Sequence, residues 1–259
     1  FSYLNIHMTM KINKTHSLIF LLGILILLTS CSDSLSDTTE GRLRYWISTL
    51  SSDEFEGRAP GTEGGQLTKN FISKTFQDLD LDPLNGSYFL DVPTSEITLK
   101  DSSYLTLSFR GNDRKMITGD EVVFWTKQAR EYRKIRDSEV VFVGYGIVAP
   151  EYNWNDYEGI DVKGKTVVIL VNDPGFATGK LRLFNGRSMT YYGRWTYKFE
   201  EAARQGAAAA IVIHEEEPAA YPWSVVENSW QGPQLDLQRD DLGADRVILE
   251  GWIRDNTLT

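Results

Sequence analysis

Two β-rich runs, residues 139–148 and 165–171, enclose a stretch dense in Gly, Asn, Asp and aromatic residues. Thr166-Val-Val-Ile-Leu170 is a continuous apolar run of the kind found in strands buried on both faces. Downstream, Trp195, Phe199, Ala202 and Ala203 fall on one face of a helix predicted over 195–205, which Gly206 stops. Ala207 to Ile213 then reads as another buried strand. This helix–strand unit can pack on the two runs, so the chain is constrained to a mixed α/β (α+β) fold. Shorter alternating runs at 88–92, 97–99, 104–109 and 122–125, separated by Gly-rich turns, add further β structure.

Several motifs inside this frame invite a chemical reading, and each fails on spacing. Gly144-Tyr-Gly146-Ile-Val-Ala149 matches a dinucleotide fingerprint, but Pro150 and Glu151-Tyr-Asn-Trp-Asn155 follow where a helix must start. Asn153 to Gly159 is rich in oxygen ligands, yet its glycine is seventh instead of sixth and Gly164 stands where a calcium loop needs Glu. Gly186-Arg-Ser188-Met-Thr190 lacks the second Gly of a serine elbow. His214-Glu-Glu-Glu-Pro218 has Pro in place of the second His of a metalloprotease helix, and His214 is read as a surface histidine beside a solvated acidic run. The net charge of −9 over 259 residues repels phosphate backbones and argues against nucleic-acid binding.

The beginning of the chain reads as an export signal. Met8 or Met10 opens a segment with Lys11 and Lys14, followed by the apolar run Leu18–Leu28. That run is too short for a spanning helix, which takes about 20 residues, and has the form of a secretory h-region. Leu28-Thr-Ser-Cys31 resembles a bacterial lipobox, which makes Cys31, the single cysteine, the expected site of a membrane lipid anchor. Residues 1–30 are then a signal peptide with an upstream extension, and 31–39 a flexible tether. An exported lipoprotein of the bacterial cell envelope is the implied location.

Asp37-Thr-Thr-Glu40 fits a capped helix start, with Leu43, Trp46, Ile47 and Leu50 on one stripe. A second helix is predicted over 64–79, with Leu67, Phe71, Ile72, Phe76 and Leu79 inward and Pro83 after its end. Between them lies Asp53-Glu-Phe-Glu-Gly57-Arg58-Ala-Pro60-Gly61-Thr62, a series of turns in which the Arg58 guanidinium is expected to hold the loop by forking onto carboxylates or carbonyls.

This helix–turn–helix segment resembles the start of secreted di-zinc aminopeptidases, the family of bacterial leucine aminopeptidases and of glutamate carboxypeptidase relatives. In that resemblance Gly57, Arg58, Pro60, Gly61 and Thr62 are structural. Val143-Gly-Tyr-Gly146, Asp161-Val-Lys-Gly-Lys-Thr-Val-Val-Ile-Leu170 and the helix–Gly–strand unit are similar to the protease-associated domain, an α/β insert of secreted peptidases. Gly232-Pro-Gln-Leu235 and Leu249-Glu-Gly-Trp-Ile253 resemble its closing segment. The implied division is 40–85 for the N-terminal helical part of the peptidase and 86–259 for the protease-associated domain.

The resemblance implies two zinc ions held by two histidines and three carboxylates, with a further Glu as general base. His7, His16 and His214 are the chain's histidines, and the first two fall in or before the export signal. No catalytic residue or metal ligand is therefore assigned here; the zinc pair is expected in a catalytic domain following this segment. The expected function is the N-terminal portion of an aminopeptidase acting on peptides, with this part as a gating or interaction module. The alternative is a non-catalytic lipoprotein that binds peptides or partners through Tyr152, Trp154, Tyr157, Tyr191, Tyr192, Trp223 and Trp230.

Overall fold

A computed structural model describes residues 38–258. Cys31, the apolar run 18–28 and most of the expected tether lie outside these residues. The described part forms two compact units that divide between Asp91 and Val92.

The first unit is helical. Helix α1 spans Thr39–Leu50, a 3-10 turn covers Asp53–Arg58, and α2 spans Glu63–Asp78. Thr38, not Asp37, caps α1, its hydroxyl accepting from Gly41 N at 3.0 Å, so the tether reading does not extend to Thr38 and Thr39. Thr62 caps α2 in the same way through Gly65 N. The Gly64-Gly65 pair is dictated by packing: a Cβ on Gly64 would stand 2.1 Å from the Phe55 carbonyl oxygen. Gly57 and Gly61 adopt left-handed φ, and so does Arg58, whose guanidinium donates to the Leu50 carbonyl at the end of α1. Only part of the predicted stripes is covered: Leu43 and Ile47 of α1 and Ile72 and Phe76 of α2 stay exposed. No strand forms over 88–92, where the alternation predicted one; Leu84 and Ser87 instead close a turn.

The second unit is a mixed α/β fold. Its strands are β1 (Thr94–Ile97), β2 (Leu105–Phe109), β3 (Asn112–Met116), β4 (Val122–Trp125), β5 (Val140–Phe142), β6 (Val148–Ala149), β7 (Trp154–Asn155), β8 (Thr166–Leu170), β9 (Ala209–His214), β10 (Gln234–Leu237) and β11 (Leu249–Arg254). Its helices are α3 (Pro174–Thr178), α4 (Trp195–Arg204), α5 (Glu216–Ala219) and α6 (Trp223–Ser229). The central sheet runs β4-β11-β9-β8-β5, parallel except at β4, and three two-stranded pairs (β1-β10, β2-β3, β6-β7) surround it.

Register places Val141, Val167, Ala210, Glu250 and Trp125 on one face of this sheet, with Ile169, Val212, Trp252 and Val123 beside them. That face is the main core, closed by Phe199 and Ala202 of α4 and by Ala219, Trp223 and Val226 of α5 and α6. Among the described residues of this unit, the opposite face is covered at one end only. There Leu105, Leu107 and Met116 of the β2–β3 hairpin pack on Val122, Phe124 and Leu249. At the other end Val168, Leu170 and Ile213 are half-buried, and edge residues Val140 and Phe142 are 48% and 58% exposed.

Candidate functional site

The parallel strands β5 and β8 lead into Gly144-Tyr145 and Asn172-Asp173, and 24 residues separate the end of β8 from α4. Long loops of this kind are usually functional, and a loop whose ends meet is a compact Ω-type loop. Here the neck is closed by Asp173. Its Oδ1 accepts from Gly175 N at 3.1 Å, and its Oδ2 accepts from Thr190 N at 3.0 Å and from Thr190 Oγ1 at 2.7 Å. One fully buried carboxylate thus ties positions 17 residues apart with three hydrogen bonds. Asn172 reinforces the neck: its backbone N donates to Gly193 O, and its side chain donates to Pro218 O.

Beneath the neck lies Lys198 of α4, also fully buried. Its Nζ donates to Tyr145 O at 2.7 Å and to Asn172 O at 2.8 Å, stapling the ends of β5 and β8. Burial pushes its pKa down to about 7, against the opposing pull of Asp156 and Asp173. Asp156 in turn accepts from Ile147 N at 3.0 Å. These groups are satisfied by one another and by backbone, and the arrangement is that of a clasp.

The loop above the clasp has its own aromatic core. Phe184 is completely buried and stacks on Tyr152 at 4.3 Å, with Trp154 and Tyr192 edge-on to it. Tyr197 joins this cluster and clamps β6, its hydroxyl accepting from Val148 N and donating to Val148 O. Phe184, Asn185 and Gly186 have φ of 47°, 60° and 64°, three successive left-handed residues. For a buried phenylalanine this is a costly backbone conformation that only surrounding packing sustains. Gly175 is equally constrained, since a Cβ there would stand 2.3 Å from Leu183 O and 2.6 Å from Gly186 O.

The sequence-predicted residues fall elsewhere or play other parts. Gly57, Arg58, Pro60, Gly61 and Thr62 belong to the first unit, in the turns between α1 and α2. His214 corrects the surface reading: it is 1% exposed, packed among Tyr221, Trp223 and Trp252, with Nε2 donating to Tyr221 O at 3.1 Å. The acidic run that follows starts a helix that carries the chain back over the ring, which adjacency to three glutamates could not reveal. Burial lowers its pKa and favours the neutral ring. Of the aromatics proposed for partner binding, Tyr191 is exposed, but Tyr157 and Trp223 are core residues. Trp230 is half-buried, stacked on Trp125 at 3.4 Å, and Tyr152, Trp154 and Tyr192 build the loop's core. Large rings alternating with small residues mark either a surface or a core, and the tertiary packing chose core.

Sequence reasoning passed over Asp173, Thr190 and Lys198. Two signals were present: Asp173-Pro174 is a helix cap followed by Pro at the first helical position, and Lys198 interrupts the apolar flank of α4.

Among the described residues no three His, Cys, Asp or Glu side chains group as a metal site, and no helix is long and apolar enough to cross a membrane.

The comparisons with known proteins are sparse. No family model matches the chain, and no curated protein does. Among solved structures it is similar to an aminopeptidase from Aneurinibacillus sp. strain AM-1, at 15% identity and a TM-score of 0.30. The match covers 79% of this chain and 45% of that one, so the chain spans less than half the length of that enzyme.

Proposed function

We propose that this chain is the non-catalytic N-terminal portion of an extracytoplasmic zinc aminopeptidase, serving there as an interaction and substrate-gating module. Its resemblance to that family rests on the Gly57-Arg58…Pro60-Gly61-Thr62 segment and on the protease-associated pattern of 143–213. One structural observation supports an interaction role above the others. Among the described residues of its own unit, the central sheet leaves the β5–β8 end of its second face apolar and open, with Phe142 and Val140 at the edge. A contiguous exposed apolar face marks an interaction surface. The residues present do not fit a zinc pair: His214 is sealed in the core with its ring nitrogen bound to a carbonyl. The two zinc ions, their ligands and the peptide-cleaving step are assigned to a domain beyond Thr259.

Two measurements test this. The purified chain should not release N-terminal residues from peptides with or without added zinc. When it is co-expressed with the product of the reading frame beyond codon 259, the two should co-purify, and Phe142→Asp should weaken that association at least tenfold. A following frame without a histidine- and carboxylate-rich peptidase domain would sink the proposal and favour a stand-alone binding lipoprotein.

A further inference from the structure

The clasped loop and the helix that follows it are basic along their length. From Pro174 to Phe199 there are five cations and no acid, in a protein of net charge −9. Two of the five are engaged: Lys198 is buried in the clasp, and Arg187 pairs with Glu217 at 2.6 Å while lying over Phe176. A third, Arg194, is exposed at the start of α4, outside the loop's neck. Lys180 and Arg182 are different. Both are exposed, neither side chain has an ion-pair partner among the described residues, and they flank Leu181, which is 79% exposed. A lone exposed leucine is ordinary. A leucine held between two unpaired cations, at the tip of a loop whose neck and core are over-determined, is not explained by folding.

We propose that Lys180-Leu181-Arg182 is a contact surface for anionic phospholipid membranes. The two cations would reach headgroup phosphates while Leu181 enters the acyl boundary, the division of labour seen in interfacial segments. A membrane engages all three residues at once, its phosphates meeting the cations and its acyl boundary taking Leu181. Rigidity favours this role, because little conformational entropy remains to be lost on contact. The inference needs neither the aminopeptidase reading nor the lipid anchor.

The single cysteine makes a direct test possible. In the full chain, Cys31→Ser with Leu181→Cys leaves one thiol at the tip for an environment-sensitive fluorophore. Vesicles containing phosphatidylglycerol should blue-shift the probe at low salt, and high salt should reverse the shift. Pure phosphatidylcholine vesicles should leave it unchanged, even if another part of the chain binds them. Lys180→Gln with Arg182→Gln should lower the anionic-vesicle response about 25-fold, taking roughly fivefold per cation at a charged surface. No shift with phosphatidylglycerol would overturn the proposal, as would a shift equal for both lipids and indifferent to the double substitution. A shift with poly-glutamate but not with anionic vesicles would overturn it in favour of a protein partner. Aminopeptidase activity is not a readout here, so failure of this test and failure of the functional reading are distinguishable.

Discussion

Two ends of the central sheet each bury a carboxylate, and they handle it in opposite ways. At the β5–β8 end Asp173 receives three donors and closes a loop. At the β4–β11 end Glu250, 1% exposed, receives one, the Trp125 indole N–H at 2.9 Å. Its pKa is raised, first of all by burial. Gln128, just beyond β4, donates to Arg246 O but leaves its own Oε1 buried without a partner among the described residues. Equal burial therefore carries opposite energetic meaning. A carboxylate with its lone pairs filled holds structure together, whereas one sparsely bonded in an apolar core costs stability whenever it is charged.

The contrast can be broken most sharply at Asp173. Asp173→Ala removes three hydrogen bonds and orphans the amides of Gly175 and Thr190, so a loss of about 3 kcal/mol is expected in urea unfolding, at about 1 kcal/mol per bond. A loss below about 1 kcal/mol would mean that the neck is not the clasp described.

Lys198→Met should cost about 2 kcal/mol by leaving the Tyr145 and Asn172 carbonyls without a donor. The effect should depend on pH. With a folded pKa near 7 and an unfolded value of 10.5, the unfolded chain binds the extra proton between them. Wild-type stability therefore gains from this group as pH rises from about 7 to about 10, and the variant lacks that gain. Thermal melts of both proteins across this range measure the difference. Above pH 10 both should lose stability, because burial and a neighbouring carboxylate hold the Tyr197 hydroxyl up at about 12.

Glu250→Gln should do the reverse and stabilise the fold by about 1 kcal/mol at neutral pH, since the amide oxygen can still accept from Trp125 without a buried charge. A raised carboxyl pKa makes its cost appear as pH climbs above the unfolded value of 4.5 and vanish below it. The gain should accordingly disappear in melts at pH 4. The smallest effect is expected at Tyr157, whose buried hydroxyl has no partner among the described residues. Tyr157→Phe should leave stability unchanged or raise it by less than about 1 kcal/mol.

Much of the scaffold was legible because it depends on local chemistry. Unbroken apolar runs made β8 and β9 visible, and 3.6-residue periodicity with a terminal Gly or Pro bounded α2 and α4. Legibility failed where local pattern and tertiary setting diverge. Strand β3, Asn112–Met116, starts inside the Gly111-Asn-Asp113 stretch that reads as a turn; pairing with β2 and one buried residue, Met116, made it a strand. The run at 88–92 alternates well but has no partner strand among the described residues.

The sequence by itself determined an α/β (α+β) fold and the two helices with their Gly-Arg…Pro-Gly-Thr turn. Only the tertiary structure decided that His214 is core, that Asp173 meets Thr190 across 17 residues, and that Lys198 lies beneath them. The physical reason is range. Propensity and periodicity act over one or two turns of chain, while the state of a buried charge is fixed by donors that arrive from distant strands and loops.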